Sequence, residues 1–541
     1  MSRKQKNIYS IKTYKRMFFK HSLCFFYKMF YIFVIIVNLL PDKKRMKKTL
    51  LLFLIIGGTV LASRMDAQNL SRRLTLFETI YTAHEQSPSS LMAKHSFLGS
   101  YWEYRSYKAQ YLPSLNLNAT LGQFNRSLVP LQNSETGNIN YVQNNNMYNN
   151  ISLSVDQNIA LTGGKLSVYT QLYRLDQYSP HRSITYNSQP INITYIQPLR
   201  AYNSLKWQKK TSPKEYEKAK RVYLETMEGI TVTVTSLFFN TLLAQQQLDM
   251  ANKNYQNTEA LYKIAKERYE IGNVTQSELL QLELRLLNEG LAINEYQLQV
   301  DKNKLQLKTY LGYNDAVELE LVLPDSIPTI MMDVAEVVDL SYANSSFGLT
   351  QELSILYAEQ AVAQAKANRG LSATLNAQFG LTQQNESFRY AYKNPMDQEI
   401  ISLGLSFPIL DWGLGKGRVK TAKSRENVVR TQADLDNAER RQDLMIKVVQ
   451  FNNQTRQCQI SSKADSIAEQ RYEAVRERFV NGTATVTDLN TAQSEKDEAA
   501  QRYINELSKY WNYYYTLRQL TLYDFISRTN ISAEFDKIIG D

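Results

Sequence analysis

The residue types that most often carry catalysis or bind metals are scarce in this chain and poorly spaced. Its 541 residues include 4 His and 2 Cys, and His84, His95 and His181 lack the spacing of metal ligands. The run from Gly413 to Gly417 lacks the spacing of a phosphate-binding loop, and no serine occupies a nucleophile elbow. The many carboxylates lie on charged helix faces, where solvation is the default. The sequence therefore predicts a protein that is not an enzyme and uses no cofactor and no metal.

Charge separates the leading segment from the rest of the chain. Residues 1–67 carry 14 Lys and Arg against 2 Asp and Glu, so residues 68–541 hold 49 basic and 50 acidic side chains. The net charge of +11 therefore comes from residues 1–67, and the rest of the chain is nearly neutral. We expect no basic patch on the folded part, which excludes nucleic-acid binding. Residues 46–67 have the basic start, apolar centre and small residues of a signal peptide. Residues 1–45 are either a mis-assigned start or an uncleaved membrane anchor.

The exported part contains an internal duplication. Matching segments recur at offsets of 210 and 258 residues: Glu267–Thr275 with Glu477–Thr485, and Ser114–Gly122 with Ser372–Gly380. The difference predicts a first repeat over residues 68–323 that carries about 48 residues absent from the second repeat, residues 324–525. Residues 526–541 form a C-terminal tail.

Two strands are predicted in each repeat, because apolar and small polar side chains alternate there with a period of two. These strands lie near residues 113–124, 189–200, 372–382 and 399–409. The alternation suits a soluble β-sandwich, and it also suits an outer-membrane barrel, whose strands turn apolar residues to lipid. The very long helices between the strands weaken the sandwich interpretation.

Each repeat also contains a long helical hairpin, predicted from apolar residues spaced three and four apart over residues 213–312 and 414–522. The first helix of the first hairpin would run for about 87 Å at 1.5 Å per residue, well beyond the thickness of a bilayer. Gly272 and Gly482 then mark the turns of the two hairpins.

The expected architecture follows from the need of a membrane-spanning sheet to close into a barrel. Strand edges cannot face lipid, and four strands are too few to close a barrel, so several copies must share one wall. Three copies with about four barrel strands per protomer would give twelve strands. The expected fold class is an all-α coiled-coil barrel joined to a transmembrane β-barrel, trimeric and internally duplicated, with its periplasmic tip at the two hairpin turns.

The chain resembles the TolC family of outer-membrane efflux proteins, in particular members from Bacteroides-type bacteria. The resemblance covers about residues 70–525. Its carriers are Leu74–Glu78, Leu112–Leu115, Phe407–Ile409 with the glycines that follow, and the tip motifs Arg268-Tyr269-x-x-Gly272 and Arg478-Phe479-x-x-Gly482. The resemblance implies a homotrimer in the outer membrane, in contact with its lipid and extending into the periplasm, where it docks to a periplasmic adaptor protein and an inner-membrane pump.

The resemblance also implies a periplasmic gate, because the family narrows its tip with acidic rings after the second tip glycine. Asp488 matches the first ring position, and Thr491, which is not acidic, matches the second. The family's tip arginine corresponds to Ala484 and its acidic partner to Glu278, so the usual lock is missing here. Asp488 would either form a cation-favouring ring or merely cap the returning helix.

Two further sets of residues are candidates for contacts with partners and with lipid. The candidates for adaptor docking are Gly272, Val274, Thr275, Gly482, Thr483 and Val486, although turn chemistry alone would require the glycines. The candidates for an aromatic belt at the lipid boundary are Tyr195, Tyr202, Trp207 and Trp412, with packing against the helices as the rival interpretation.

The extra residues of the first repeat are expected to form an extracellular hairpin over residues 148–175, at the mouth of the barrel and opposite the helices. Apolar and polar residues alternate in it as in barrel strands, so six barrel strands per chain are an alternative. The function expected is a passive exit duct of a tripartite efflux or type I secretion system. The alternative is a soluble periplasmic coiled-coil scaffold, and the sequence does not identify the substrate.

Overall fold

The computed structural model describes residues 71–132, 137–179, 181–272, 274–314, 317–324 and 327–540. The expectations for residues 1–45 and 46–67 lie outside these ranges. Residues from Ser71 onward form one compact unit, which holds both repeats.

The first repeat contains two short helices, five strands and two long helices. In chain order its elements are β1 (Ser71–Leu74), α1 (Leu76–Gln86), α2 (Pro88–Ala109), β2 (Ser114–Gln132), β3 (Ile139–Ile159), β4 (Gly164–Ser179), β5 (Ser183–Arg200), α3 (Ser204–Glu270) and α4 (Gln276–Leu311).

The second repeat follows the same plan with three strands in place of five. Its elements are β6 (Glu318–Leu321), α5 (Val334–Asn344), α6 (Ser346–Ala367), β7 (Ser372–Asn385), β8 (Met396–Ser406), α7 (Leu414–Val480) and α8 (Val486–Thr521), followed by β9 (Tyr523–Asp524), β10 (Thr529–Asn530) and α9 (Phe535–Gly540). The four helices of each repeat have the same lengths, 11, 22, 67 and 36 residues. The extra residues of the first repeat are therefore β3, β4 and their turns.

The four long helices pack side by side in the order α4, α3, α8, α7. Their core is aromatic where α3 meets α8, with Phe238 and Phe239 on one helix and Tyr510 and Trp511 on the other, all buried. One 18-residue window of α3 is apolar enough to cross a membrane, but more than half of it is buried inside the protein. This window is therefore explained by the helical core.

The two repeats are joined near the middle of the molecule by a parallel strand pair. β1 pairs with β6 in the register Ser71↔Glu318 to Leu74↔Leu321. Leu74, Leu319 and Leu321 are buried in the same core as the aromatic residues of α3 and α8. The pair thus fixes the start of one repeat beside the start of the other.

The remaining six strands form one antiparallel sheet in the order β2, β3, β4, β5, β7, β8. It contains the four expected strands and two more, β3 and β4. Because every neighbour is antiparallel, the edge strands β2 and β8 run in opposite directions. β2 leads away from the helices and β8 leads back to them.

The expected extracellular hairpin over residues 148–175 was wrong in position. β3 and β4 run the length of the sheet, and the turn between them lies at its helical end, where Asn203 Nδ2 donates to the carbonyl of Ala160 at 3.0 Å. Gln157 Nε2 likewise donates to the carbonyl of Tyr111, just after α2, at 3.0 Å. The reason is topological: β2 already crosses the sheet away from the helices, so β3 must return toward them.

The first long helix begins earlier than the expected residue 213. It begins at Ser204, because Asn203 Oδ1 accepts a hydrogen bond from the backbone N–H of Lys206 at 3.0 Å and caps the helix. Pro213 lies inside the helix. The proline was a poor boundary signal because a capping side chain upstream had already started the helix.

Candidate functional site

Each helical hairpin ends in a tight turn that a glycine makes possible. Gly272 and Gly482 have φ angles of 79° and 78°, in the left-handed region that other residues avoid. The returning helices α4 and α8 then start at capping boxes built on Thr275 and Thr485. The tips of the two repeats are thus built by the same local chemistry.

Asp488 caps the returning helix in the second tip. Its Oδ2 accepts from the backbone N–H of Thr485 at 3.0 Å and from Thr485 Oγ1 at 2.8 Å. These hydrogen bonds hold the pKa of Asp488 below the ordinary value for aspartate. Glu278 makes the same contacts with Thr275 and has its pKa lowered for the same reason. Both predicted gate carboxylates are therefore ionised helix caps.

Thr491 lies on the same exposed part of α8 as Asp488. Its Oγ1 donates to the carbonyl of Thr487, one turn back, at 2.9 Å. The structure therefore brings Asp488 and Thr491 onto one exposed stretch of helix, where Asp488 supplies a charge and Thr491 does not.

Arg268 links the two tips, and sequence reasoning gave it no partner. Its Nη1 donates to the carbonyl of Phe479 at 3.0 Å, and its Nη2 donates to the carbonyl of Val480. Both carbonyls belong to the last turn of α7, where helix carbonyls lack intrahelical partners. Arg268 belongs to the tip motif, four residues before Gly272, so the sequence marked the residue. Its partner Phe479 lies 211 residues further along the chain, so the sequence did not mark the contact.

A small apolar core supports the tips from above. Its buried members are Leu261, Ala265, Leu282, Tyr472, Phe479, Val486, Leu489 and Ala492. Val486 is 1% exposed, so its assignment to adaptor docking was wrong: the first turn of α8 points it into this core. Gly272, Thr275, Gly482 and Thr483 are exposed and Val274 is half-buried, so these five lie at the surface of the turns.

The four candidate belt aromatics have different environments. Tyr202 accepts a hydrogen bond from Gln360 of α6 at 2.6 Å, Trp207 lies under the Lys210 ammonium group at 4.7 Å, and Tyr195 donates to Gln197 at 2.5 Å. Trp412 is 90% exposed, in the connection from β8 to α7. The contact of Tyr202 with α6 agrees with packing against the helices, whereas the exposure of Trp412 agrees with a position at the lipid boundary.

The sheet has one apolar face and one polar face. A single register row of exposed apolar residues crosses five strands: Leu115, Val155, Val168, Ile193 and Phe379. The next row is polar on the same strands: Ser114, Asp156, Ser167, Thr194 and Gln378. An apolar face that stays exposed next to a polar face is typical of a membrane barrel wall.

Two unpartnered apolar stripes run along the outer helices of the four-helix layer. The α4 seam is defined by six exposed leucines: Leu280, Leu284, Leu287, Leu291, Leu298 and Leu305. The α7 seam is defined by Val428, Leu435, Ile446, Val449, Ile460 and Ile467, which are also exposed. Members of the α4 seam are three, four or seven residues apart, and members of the α7 seam are three, seven or eleven residues apart. These spacings keep each set on one helix face, as in a coiled-coil interface.

The duplication shows what these seams correspond to. At the offset of 210, Leu287 of α4 matches Asp497 of α8, which accepts from Asn254 of α3 at 2.7 Å. Ile446 of α7 likewise matches Ser236 of α3, which donates to Asn512 of α8 at 2.8 Å. The exposed seams therefore occupy the positions that form the buried interface between α3 and α8 inside the chain.

Solved outer-membrane channels share this fold. The CmeC channel of Campylobacter jejuni aligns with a TM-score of 0.60 and 16% identity over 86% of this chain and 88% of its own. VceC of Vibrio cholerae gives 0.58 and 14% over 84% and 97%, and the MtrE channel of Neisseria gonorrhoeae gives 0.54 and 14% over 82% and 88%. No curated protein matches the sequence.

A match to a known family comes from the sequence of the first repeat. Residues 79–313 match the model of the family described as outer membrane efflux protein, and this stretch runs from α1 through the end of α4. The second repeat has the same helices in the same order. Residues 79–313 are therefore similar to the outer membrane efflux protein family, and the described chain shares its fold with solved outer-membrane channels.

Proposed function

We propose that three copies of this chain form a closed duct through the outer membrane into the periplasm, and that this duct is the exit of a tripartite efflux or type I secretion system. Substrates would pass passively from a periplasmic adaptor and an inner-membrane pump to the exterior. The observation that carries the proposal is that both layers of the chain end in unfinished edges, which a second copy of the same chain can complete.

In the helical layer, the α7 seam of one copy fits the α4 seam of the next. The duplication makes this contact the equivalent of the buried contact between α3 and α8. Such a contact is head-to-tail, because different surfaces of the two copies meet, and repeated head-to-tail contacts close into a ring. The number of three copies follows from the family resemblance.

In the sheet, the edge strand β8 of one copy fits the edge strand β2 of the next. The two strands run in opposite directions, so copies joined in this way extend the antiparallel sheet without interruption. Closure satisfies every backbone group, which a lipid environment requires. The apolar face would then contact lipid and the polar face would line the lumen.

The helical tips would form the periplasmic end of the duct. Three copies of Asp488 would place three ionised carboxylates near the axis, which favours cations. The exposed turn residues, Gly272, Thr275, Gly482 and Thr483 with half-buried Val274, would contact the adaptor. Asp488 would thus select the solutes that pass, whereas the turn residues would bind the adaptor.

A seam variant tests the proposal. Leu291→Glu places a charge in the middle of the α4 seam, whereas Gln281→Glu places one at an exposed position of the same helix outside the seam. We expect wild type and Gln281→Glu to purify from the outer membrane as heat-modifiable trimers that give conductance steps in planar bilayers. Leu291→Glu should keep its helical content and lose the trimer.

The soluble scaffold makes the opposite prediction. A wild-type chain that is a stable monomer in buffer without detergent, and silent in bilayers, would refute the duct. The efflux role is tested separately by co-purification of an adaptor with the wild-type trimer, and by its loss in Thr483→Glu, which changes an exposed tip residue. A conducting trimer that binds no adaptor would limit the function to that of a free pore.

A further inference from the structure

We infer that β3 and β4 belong to the wall of the barrel, so that three copies build eighteen strands and an outer pore wide enough for large hydrated polar solutes. This inference rests on the trimer proposed above and goes beyond it. Four strands per copy would also close a barrel, so the role of the inserted pair has to be argued from its own contacts.

The inserted strands are integral members of the sheet. β3 pairs with β2 from Ser114↔Asp156 to Gln132↔Ile139, and β4 pairs with β5 from Lys165↔Ile196 to Gln177↔Ser183. β3 and β4 thus stand between β2 and β5 along their full length. A lid or plug would leave β2 and β5 paired with each other, whereas here the pair separates them.

The inserted strands also have the two faces of a barrel wall. Val155 and Val168 are exposed and continue the apolar row between Leu115 and Ile193. On the polar face, Asp156 accepts from Ser167 Oγ at 2.5 Å and from Asn116 Nδ2 at 2.9 Å. β3 and β4 therefore contribute both a lipid-facing and a lumen-facing surface.

The turn between β3 and β4 is fitted to the helical end of the sheet. Gly163 has a φ angle of 76°, and a Cβ atom on it would lie 3.1 Å from the Asn203 side chain. A Cβ atom on Gly164 would lie 2.5 Å from Gln197 Oε1, so a larger residue would have to displace that side chain. Gln197 Nε2 in turn donates to the carbonyl of Thr162 at 3.1 Å. These contacts fix the pair to the base of β5 and the start of α3.

Strand number sets the width of a barrel. With strands about 4.8 Å apart and tilted by about 40°, eighteen strands give a backbone diameter of about 36 Å, and twelve give about 24 Å. Inward side chains take up roughly 10 Å of either diameter, so the clear bore would be about 26 Å instead of about 14 Å. A lumen face of Ser, Thr, Asn and Gln suits hydrated polar solutes of that size, such as oligosaccharides.

Polymer exclusion in planar bilayers tests the width. Polyethylene glycols of graded size, added on the extracellular side, report the outer bore separately from the periplasmic tip. The comparison is a variant that lacks residues 139–183, which joins β2 to β5 as β7 is joined to β8. Both proteins should be conducting trimers. The wild type should admit polymers about 20 Å across, and the variant should exclude polymers above roughly 12 Å.

Equal exclusion limits in two conducting trimers would overturn the wide barrel and leave the proposed duct intact. Loss of the wild-type trimer would instead refute the duct itself. If the deletion variant does not assemble, a measurement on the full-length chain replaces it. That measurement places single cysteines at Leu153 and at its neighbour Ser152, which lie on opposite faces of β3.

Once Cys24 is replaced by serine, the native cysteines of the full-length chain do not compete with the introduced cysteines for the fluorophore. The native Cys458 is buried, and burial raises the pKa of its thiol to about 11, so it stays unreactive near neutral pH. A fluorophore on Leu153→Cys should be quenched by brominated lipid tails, and one on Ser152→Cys should be quenched by a water-soluble reagent. Accessibility of both positions to the aqueous quencher, with no lipid quenching at Leu153→Cys, would remove the inserted pair from the wall.

Discussion

Arg268 donates through Nη1 to the carbonyl oxygen of Phe479 at 3.0 Å, so the end of α3 is tied to the end of α7. A second hydrogen bond runs from Nη2 to the carbonyl of Val480. The carbonyl end of a helix carries partial negative charge, which favours a cation there. The resemblance implies a tip arginine where this chain has Ala484, and the contact of Arg268 ties the two hairpins of one chain.

Loss of this tie should open the tip. In Arg268→Ala, charge-assisted hydrogen bonds of about 1.5–3 kcal/mol each are removed, which corresponds to roughly a tenfold or larger shift toward open states. We expect a higher mean single-channel conductance. Arg476→Ala is the control, because Arg476 pairs with Glu473 at 2.6 Å on an exposed helix face. A conductance equal to wild type in Arg268→Ala would show that the tip is held elsewhere.

Asp488 caps α8 and, in the proposed duct, would also favour cations, and two variants can separate these roles. Asp488→Asn removes the charge and should lower the preference of the pore for cations, whereas Thr485→Val removes the capping hydroxyl and keeps the charge. The second variant should lower trimer stability by about 1 kcal/mol with unchanged ion selectivity. Reversal potentials under a salt gradient measure the selectivity, and an unchanged value in Asp488→Asn would reject the ring.

The pH dependence of that selectivity follows from the lowered pKa of Asp488. Its carboxylate stays ionised at pH values where an ordinary aspartate begins to take up a proton. The cation preference should therefore persist as the pH falls to about 4 and decline only below it. The helix cap should be lost in the same range, because a lowered folded pKa gives stability that disappears as pH falls through that pKa.

Asp497 should destabilise the helical layer at neutral pH. It lies between α3, α4 and α8, where burial raises its pKa despite Lys496, Arg285 and its hydrogen bond from Asn254, with Glu289 adding to the rise. Its Oδ1 is buried without a hydrogen-bond partner in the part of the chain that the structure describes. Because the folded pKa is raised, the ionised form is disfavoured, and stability is gained as pH falls through that pKa.

The expected result is that Asp497→Asn raises the stability of the trimer at pH 7 by about 1 kcal/mol, and that this gain shrinks toward pH 4. Asp434→Asn, at an exposed position of α7, is the matched control and should change little. The measurement is the midpoint temperature of trimer dissociation across this pH range. A gain that does not depend on pH would show that charge at Asp497 is not its source.

Local signals in the sequence predicted the parts of the fold that depend on neighbouring residues. Gly272 and Gly482 marked both hairpin turns because a left-handed φ angle favours glycine wherever it occurs. The matched tip segments around them revealed the duplication. The helical periodicity likewise predicted the long hairpins, although the first helix starts at Ser204 rather than near Pro213.

Features that depend on distant partners were not predictable in the same way. The alternation in β3 is identical for a lid and for a wall strand, so only the contact of Asn203 with Ala160 shows which way the hairpin points. Val486 was assigned to docking because it follows the turn, whereas the core that buries it includes Leu261 and Tyr472 from other helices. The partner of Arg268 was hidden for the same reason.

The equal lengths of the long helices have a mechanical consequence. α3 and α7 each contain 67 residues, and at 1.5 Å per residue both reach about 100 Å from the sheet. Both hairpins of the chain therefore end at about the same height, and the rim of the proposed trimer would be level. In the proposed trimer a docking partner would meet six ends in one plane, and one turn of helix added to α3 and α4 alone would leave the six ends at two alternating heights.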